Sequence, residues 1–416
     1  MENPLSDFKG NYEESKESLI KENLLYSPAE ENTETDLSRI QQYRDLHAVA
    51  SVCNPIIKEG TFKKYVIYTI KGSDSTGIFE VARRYKEFRA LRQLLVRNWP
   101  GCYIPQLPGK QASGNFLPNF IEQRRKLLDL FICKLISLPY FYRSEEFQTF
   151  IRGGSSDYKK LAGDCKKYDY NEISENYQAV FREFLSQKVT DEDERNLEKL
   201  LSTFEDGLEN LQKFENSCKI SVDYFGIYDK ELSGLIQGIK NVNKLYANGF
   251  GGREINVEIR DTYTNPFYIL LDWARAEILD QQSIIEAIQK KSEFKKILDK
   301  AEGNFDSEKQ KLQKMHTGRK PISQIFSSKS KQDHIKNAES NHQYLEKELQ
   351  SIAMINKIIS LLLIRREIPR FKQQKASRYE TMMRNFACAE CQEFEYIVSQ
   401  ALQIQDCLNV TDLSQQ

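Results

Sequence analysis

The sequence predicts a small α+β unit, an antiparallel sheet backed by helices, followed by an all-α bundle of long antiparallel helices. Three observations carry that expectation. Two alternating runs, Lys63–Lys71 and Ile78–Arg83, flank the turn-rich stretch Gly72–Gly77, as the strands of a hairpin do. Beyond Gly153-Gly154-Ser155-Ser156, apolar residues recur at helical spacing almost without a break to Leu408. Charge is also segregated: residues 44–153 hold 18 basic and 9 acidic residues, net +9, against −6 over 1–40 and −3 over 154–416. The formal net charge of zero over 416 residues therefore hides a basic module suited to an anionic surface.

Taken in order, residues 1–42 are rich in Glu, Ser, Asn and Lys, show no sustained period, and read as a disordered acidic arm. Two readings stand for it, a solvated leader or a regulatory tail with Ser27-Pro28 as a phosphorylation site. Met1–Gly10 is polar and has no apolar core of a secretory signal. The longest apolar run, Ile358–Ile364, falls far short of the ~20 residues a bilayer span needs, so the expected membrane contact is peripheral. Strands are expected at Ala48–Cys53, Lys63–Lys71 and Ile78–Arg83, and helices at Lys86–Asn98, Pro118–Leu138 and Glu145–Ile151.

Three stretches of this unit carry chemistry. Arg83-Arg84-Tyr85 sits where the alternating run gives way to the helical spacing of Phe88, Leu91, Leu94 and Leu95. A guanidinium at such a corner offers a fork of donors to phosphate, and the ring beside it a flat face for a sugar-like ring. Ile104-Pro105-Gln106-Leu107-Pro108-Gly109-Lys110 is a stiff proline segment ending in a lysine, and Phe120–Lys126 opens an amphipathic helix with Arg124 in its early turns. In this order the three resemble the PX domain of the sorting nexins, over about residues 44–153. The resemblance implies that Arg84 binds the 3-phosphate of phosphatidylinositol 3-phosphate and that Tyr85 lies beneath the inositol ring. It further implies Lys110 on the 1-phosphate and Arg124 on the 4- and 5-hydroxyls. Gln106 departs from it, standing where the family usually has a second proline. Phe116 and Leu117, in the loop before the Arg124 helix, either enter the acyl boundary of a membrane or staple the helix start.

Residues 154–190 are expected to be a linker with an amphipathic helix: Ile173, Tyr177, Val180, Phe181, Phe184 and Leu185 form one stripe. Its polar face carries Glu172, Glu175 and Glu183 against Arg182 and Lys188, which favours packing on a neighbouring domain over insertion into anionic lipid. Residues 191–408 then hold three long helices. The first carries Leu197, Leu201, Phe204, Leu208 and Leu211 and ends at Asn248–Gly252; the second spans Pro266–Met315; the third spans Asp333–Leu408 with a kink expected at Pro369. The third is apolar nearly all round at Ile358–Ile364, which predicts burial on more than one side and suggests a dimer. Long helix, turn, longer helix, basic tip and longest helix resemble the BAR domain of the sorting nexins, a crescent dimer that senses or imposes membrane curvature. The resemblance places Arg319, Lys320, Lys329 and Lys331 at a tip that touches anionic lipid, with Lys290, Lys291, Lys295, Lys296, Arg365 and Arg366 as concave-face candidates. Residues 409–416 form a tail.

No constellation for catalysis is present in the sequence. The 4 histidines, His47, His316, His334 and His342, lie apart, and Cys388-x-x-Cys391 has no second pair to complete a zinc site. The 8 scattered cysteines fit thiols in a reducing cytosol. No cofactor is expected, and no nucleic-acid-binding signature accompanies the basic residues. The expectation is a non-enzymatic PX-BAR sorting nexin, peripheral on early endosomes. It would read phosphatidylinositol 3-phosphate and curvature, dimerise with itself or a related nexin, and retrieve an unspecified cargo. The rival is a dimeric coiled-coil scaffold whose PX-like domain binds protein.

Overall fold

The computed structural model describes residues 48–60, 64–110, 116–154, 158, 169–250, 265–317 and 331–409. The expected acidic arm and the tail beyond Asn409 lie outside the described residues. The chain divides into two compact units, one built from residues up to Asp191 with Glu286–Leu363, the other from Glu192–Ile285 with Ile364 onward.

The first unit begins with an antiparallel sheet in the order β1-β2-β3, where β1 is Val49–Glu59, β2 Lys64–Asp74 and β3 Gly77–Arg84. The hairpin turn is tighter than the six-residue stretch expected from composition. Asp74 pairs with Gly77, and only Ser75 and Thr76 lie between. Gly77 takes a φ of +119°, which an L side chain rarely adopts. The Asp74 carboxylate holds the turn, accepting from the backbone and hydroxyl of Thr76 at 2.8 and 2.7 Å and from Tyr142 and Arg152. Burial alone would push its carboxyl up, but these donors more than offset that and hold it below the ordinary carboxylate range. Strand β1 runs further than the expected Ala48–Cys53. A register shift between Cys53 and Ile56 lets it continue past Pro55, with Asn54 at a φ of 47°.

Helix α1, Tyr85–Asn98, starts where β3 ends, and the Glu87 carboxylate reaches back to the backbone N–H of Arg84 at 2.7 Å. Helices α2 (Pro118–Ile136), α3 (Pro139–Tyr142) and α4 (Glu145–Arg152) complete the layer against the sheet. Phe88 is its centre, with Tyr68, Phe131 and Phe150 edge-on to it at ring separations of 6.4, 6.4 and 5.1 Å. Helix α2 grips β1 through both backbone groups of one residue, Val52. Asp129 accepts the N–H of Val52 at 2.6 Å and Arg125 donates to its carbonyl at 2.8 Å.

The amphipathic linker folds as α5, Tyr170–Val180, and a 3-10 turn, Arg182–Phe184, rather than as one helix. The break at Phe181 keeps Ile173, Tyr177, Phe181 and Phe184 on one buried face and leaves Val180 outside. Tyr177 stacks on Trp99 at 5.7 Å and donates to the carbonyl of Pro100 at 2.7 Å; Phe181 meets Trp99 and Tyr140. The other side rests on α8, Lys331–Leu362, where Ser351 donates to Asn171 at 2.8 Å and Lys357 to the carbonyl of Leu185 at 2.7 Å. Gly101 fits here for two reasons. Its φ is +82°, and a Cβ would lie 2.6 Å from Ile359. The run Ile358–Leu363 is buried within the single chain, so this part of the sequence pattern needs no partner chain to cover it.

The second unit is an antiparallel trio. Helix α6, Asp191–Phe250, runs against the start of α7, Phe267–His316, since Asn265 donates to the carbonyl of Val222 and Gln281 to that of Phe204, both at 2.9 Å. Helix α9, Ile368–Asn409, also opposes α7, with Phe386 on Phe267 and Arg378 bonded to Asp280 at 2.6 Å. Cys218, Val222, Leu270, Leu271 and Met382 form its core. Just before Pro369, where the sequence predicts a kink, a π-helical stretch, Leu363–Glu367, separates α8 from α9, and Pro369 is the second residue of α9. Widening the turn just before a residue without an N–H absorbs the lost hydrogen bond. No helix among the described residues is long and apolar enough to cross a membrane.

Candidate functional site

Alternation along β3 separates the two arginines. Arg83 pairs with Tyr68 and faces the core, where it is 2% exposed; its Nε donates to the carbonyl of Phe150 at 2.9 Å, and a terminal nitrogen to those of Phe150 and Gly153 at 2.8 and 2.7 Å. Its donors are spent on closing α4 against the sheet. Arg84 pairs with Ile67 on the opposite face, and its guanidinium carbon lies 3.3 Å from the ring centroid of Tyr65, two residues along β2. Among the described residues it has no carboxylate partner. A guanidinium stacked on a ring still directs its N–H groups outward in its own plane, open to a forked acceptor.

Tyr85 and Arg124 close the site from α1 and α2. Arg124, 7% exposed, lies between two rings, 4.3 Å from the centroids of both Tyr85 and Phe120. The Tyr85 hydroxyl donates to the carbonyl of Pro108, tying the proline segment to the start of α1. Burial pushes the Tyr85 phenol up, while the charges of Arg124 and Arg89 act against that rise. Arg89 lies one helical turn after Tyr85 on α1. Neither it nor Tyr65 stood out in the sequence. Their signals were an i+4 place on α1 and a place on the strand paired with β3.

Lys110 is exposed at the end of the proline segment, and residues 111–115 after it lie outside the described residues. Phe116 and Leu117 are exposed, Leu117 as the residue that caps α2. Of the basic tip, Arg319, Lys320 and Lys329 lie outside the described residues, as does the side chain of Lys331 at the start of α8. The concave-face candidates fare differently. Lys291 is 4% exposed, Lys290 and Lys295 pair with Glu293 and Asp299 on their own helix, and Arg365 reaches Asp193 at 3.2 Å. Lys291 therefore cannot meet a membrane surface without leaving the core. Among the described residues no cluster of His, Cys, Asp and Glu could hold a metal ion.

Residues 72–153 match the PX domain family. Over 107 residues the chain is 36% identical to vacuolar protein sorting-associated protein vps5 of Schizosaccharomyces pombe, covering 24% of this chain and 18% of that protein. Over 195 residues it is 26% identical to sorting nexin-4 of Cryptococcus neoformans, covering 44% of this chain and 39% of that one. The matched stretches thus span well under half of these relatives. Among solved structures, the SNX-BAR Mvp1 tetramer aligns over 84% of this chain and 99% of its own at 16% identity, with a TM-score of 0.45. The chain carries a PX domain. Long helices follow that domain, the order of parts in which the sequence resembles the PX-BAR sorting nexins.

Proposed function

We propose that this protein is a peripheral membrane protein of the endosomal surface, reading phosphatidylinositol 3-phosphate through its PX domain and serving sorting, tubulation and retrieval of cargo. The observation that carries the reading is Arg84, seated on Tyr65 with no acidic partner among the described residues, beside a site closed by Tyr85 and Arg124. In this reading Arg84 takes the 3-phosphate, Tyr85 underlies the inositol ring, Lys110 meets the 1-phosphate and Arg124 supports the 4- and 5-hydroxyl side. Phe116 and Leu117, apolar and exposed at the start of α2, supply insertion into the acyl boundary. The tip residues Arg319, Lys320, Lys329 and Lys331 add contacts to anionic lipid.

Dimerisation is supported by a seam left open in the second unit. Tyr228, Leu235 and Val242 repeat every seven residues on α6, and Phe394, Val398 and Leu402 every four on α9; all are exposed, Leu235 and Phe394 by 63%. A second long-helix chain, a copy of this one or a related sorting nexin, would cover them. Two headgroup sites in one dimer raise avidity without any new contact, and a curved dimer face couples that avidity to membrane shape.

The rival reading, a coiled-coil scaffold whose PX domain binds protein, predicts that the headgroup site is idle. Following the tagged wild type and Arg84→Ala in cells separates the two. Loss of endosomal localisation in the variant supports lipid reading, and unchanged localisation supports the scaffold.

A further inference from the structure

The proline segment and helix α7 meet at one carboxylate. Arg92 on α1 donates its Nε to the carbonyl of Pro105 at 2.9 Å and a terminal nitrogen to Glu286 of α7. Gln106 donates its side-chain amide to the same oxygen of Glu286. At the other end of the segment, the Tyr85 hydroxyl holds the carbonyl of Pro108, two residues before Lys110. The wall that carries Lys110 is thus fixed to α7 at one end and to a ring of the headgroup site at the other. Gln106 is the residue that departs from the proline expected there, and a proline has no side-chain donor to offer Glu286.

We propose that Glu286 is a positioning residue for the headgroup site. It seats the Lys110-bearing segment on α7, so that filling the site and closing this clamp are one coupled equilibrium. The proposal rests on the headgroup reading above. Linkage makes the coupling reciprocal: if Glu286 favours the segment geometry that binds the headgroup, a bound headgroup must in turn tighten the segment on α7. The Glu286 side chain is 35% exposed and Arg92 16%, a setting in which a charge-assisted contact is partly shielded from water yet not needed for the core.

The full chain is titrated with dioctanoyl phosphatidylinositol 3-phosphate as wild type, Arg84→Ala, Glu286→Ala, Gln106→Pro and the control Glu293→Ala, whose partner Lys290 lies on its own helix. Amide hydrogen exchange is followed in parallel. The expected result is binding about 5-fold weaker for Glu286→Ala and Gln106→Pro, the size of one lost partly exposed ion pair, and unchanged for Glu293→Ala. The probe is also expected to slow exchange in the turn of α7 around Glu286 in the wild type and not in Glu286→Ala. Wild-type affinity in both Glu286→Ala and Gln106→Pro, or a bound probe that leaves exchange around Glu286 unchanged, overturns the clamp alone. A wild type that binds no better than Arg84→Ala overturns the headgroup reading and the clamp with it.

Discussion

Arg84 lies over the face of Tyr65, 3.3 Å from its centroid, a cross-strand neighbour that holds the guanidinium without occupying its donors. An acidic partner would hold it as well, but would compete with phosphate for the same fork. Tyr65→Phe keeps the face and is expected to bind vesicles carrying phosphatidylinositol 3-phosphate as the wild type does. Tyr65→Ala removes the face and is expected to bind about 5-fold more weakly, the equivalent of ~1 kcal/mol. Vesicle sedimentation of the two variants checks this. Equal loss in both would assign Tyr65 a hydroxyl role instead.

The buried face of α5 makes a second expectation. Tyr177 is fully buried against Trp99 and Pro100, so Tyr177→Ala should lower unfolding stability by about 3 kcal/mol, read by urea titration. A face already used for packing is not available to wedge into lipid. A variant that keeps wild-type stability but loses membrane binding would reverse that assignment.

Lys291 gives a pH dependence. Burial, with Lys295 adding to it, brings its ammonium down to about 8. Below that pH the folded and unfolded chains both carry the proton, and the cost of burying charge is fully present. Between about 8 and the ordinary value of 10.5 only the unfolded chain keeps it, so stability rises with pH. Urea titrations at pH 7 and pH 9 should show this rise. Lys291→Met is expected to remove it and to add on the order of 2 kcal/mol at pH 7.

Charging the open seam tests the dimer. Leu235→Glu combined with Val398→Glu places a carboxylate on each exposed stripe, so sedimentation at micromolar concentration should turn a dimeric wild type into a monomer of unchanged helix content. A dimer that survives both changes would move the interface elsewhere.

Much of this was legible in the sequence because it rests on periodicity. The 4-3 apolar rhythm marks the long helices, and the alternation of β3 already implies that Arg83 and Arg84 point apart. What the sequence hid depends on space rather than period. Turn residues at Gly72–Gly77 could not show that β2 keeps its ladder to Asp74, because polar residues serve a strand end as well as a loop. Apolar surface all round Ile358–Leu363 signals burial without saying by what, and the cover proved to lie within the chain itself, with Gly101 against Ile359. Glu286 reads as one more helical carboxylate until Gln106, 180 residues away, is brought against it. Arg365 and Lys291 looked like surface cations for the same reason: composition does not reveal an ion partner or a buried face.

Headgroup reading through Arg84 is proposed to bring this protein to membranes. The measurement is binding of wild type and Arg84→Ala to vesicles of two diameters, with and without a few per cent of phosphatidylinositol 3-phosphate, at one fixed salt concentration because charge contacts are screened. The expected result is binding that needs both the lipid and Arg84 and that strengthens on the smaller vesicles. Binding that ignores both the lipid and the substitution would contradict it.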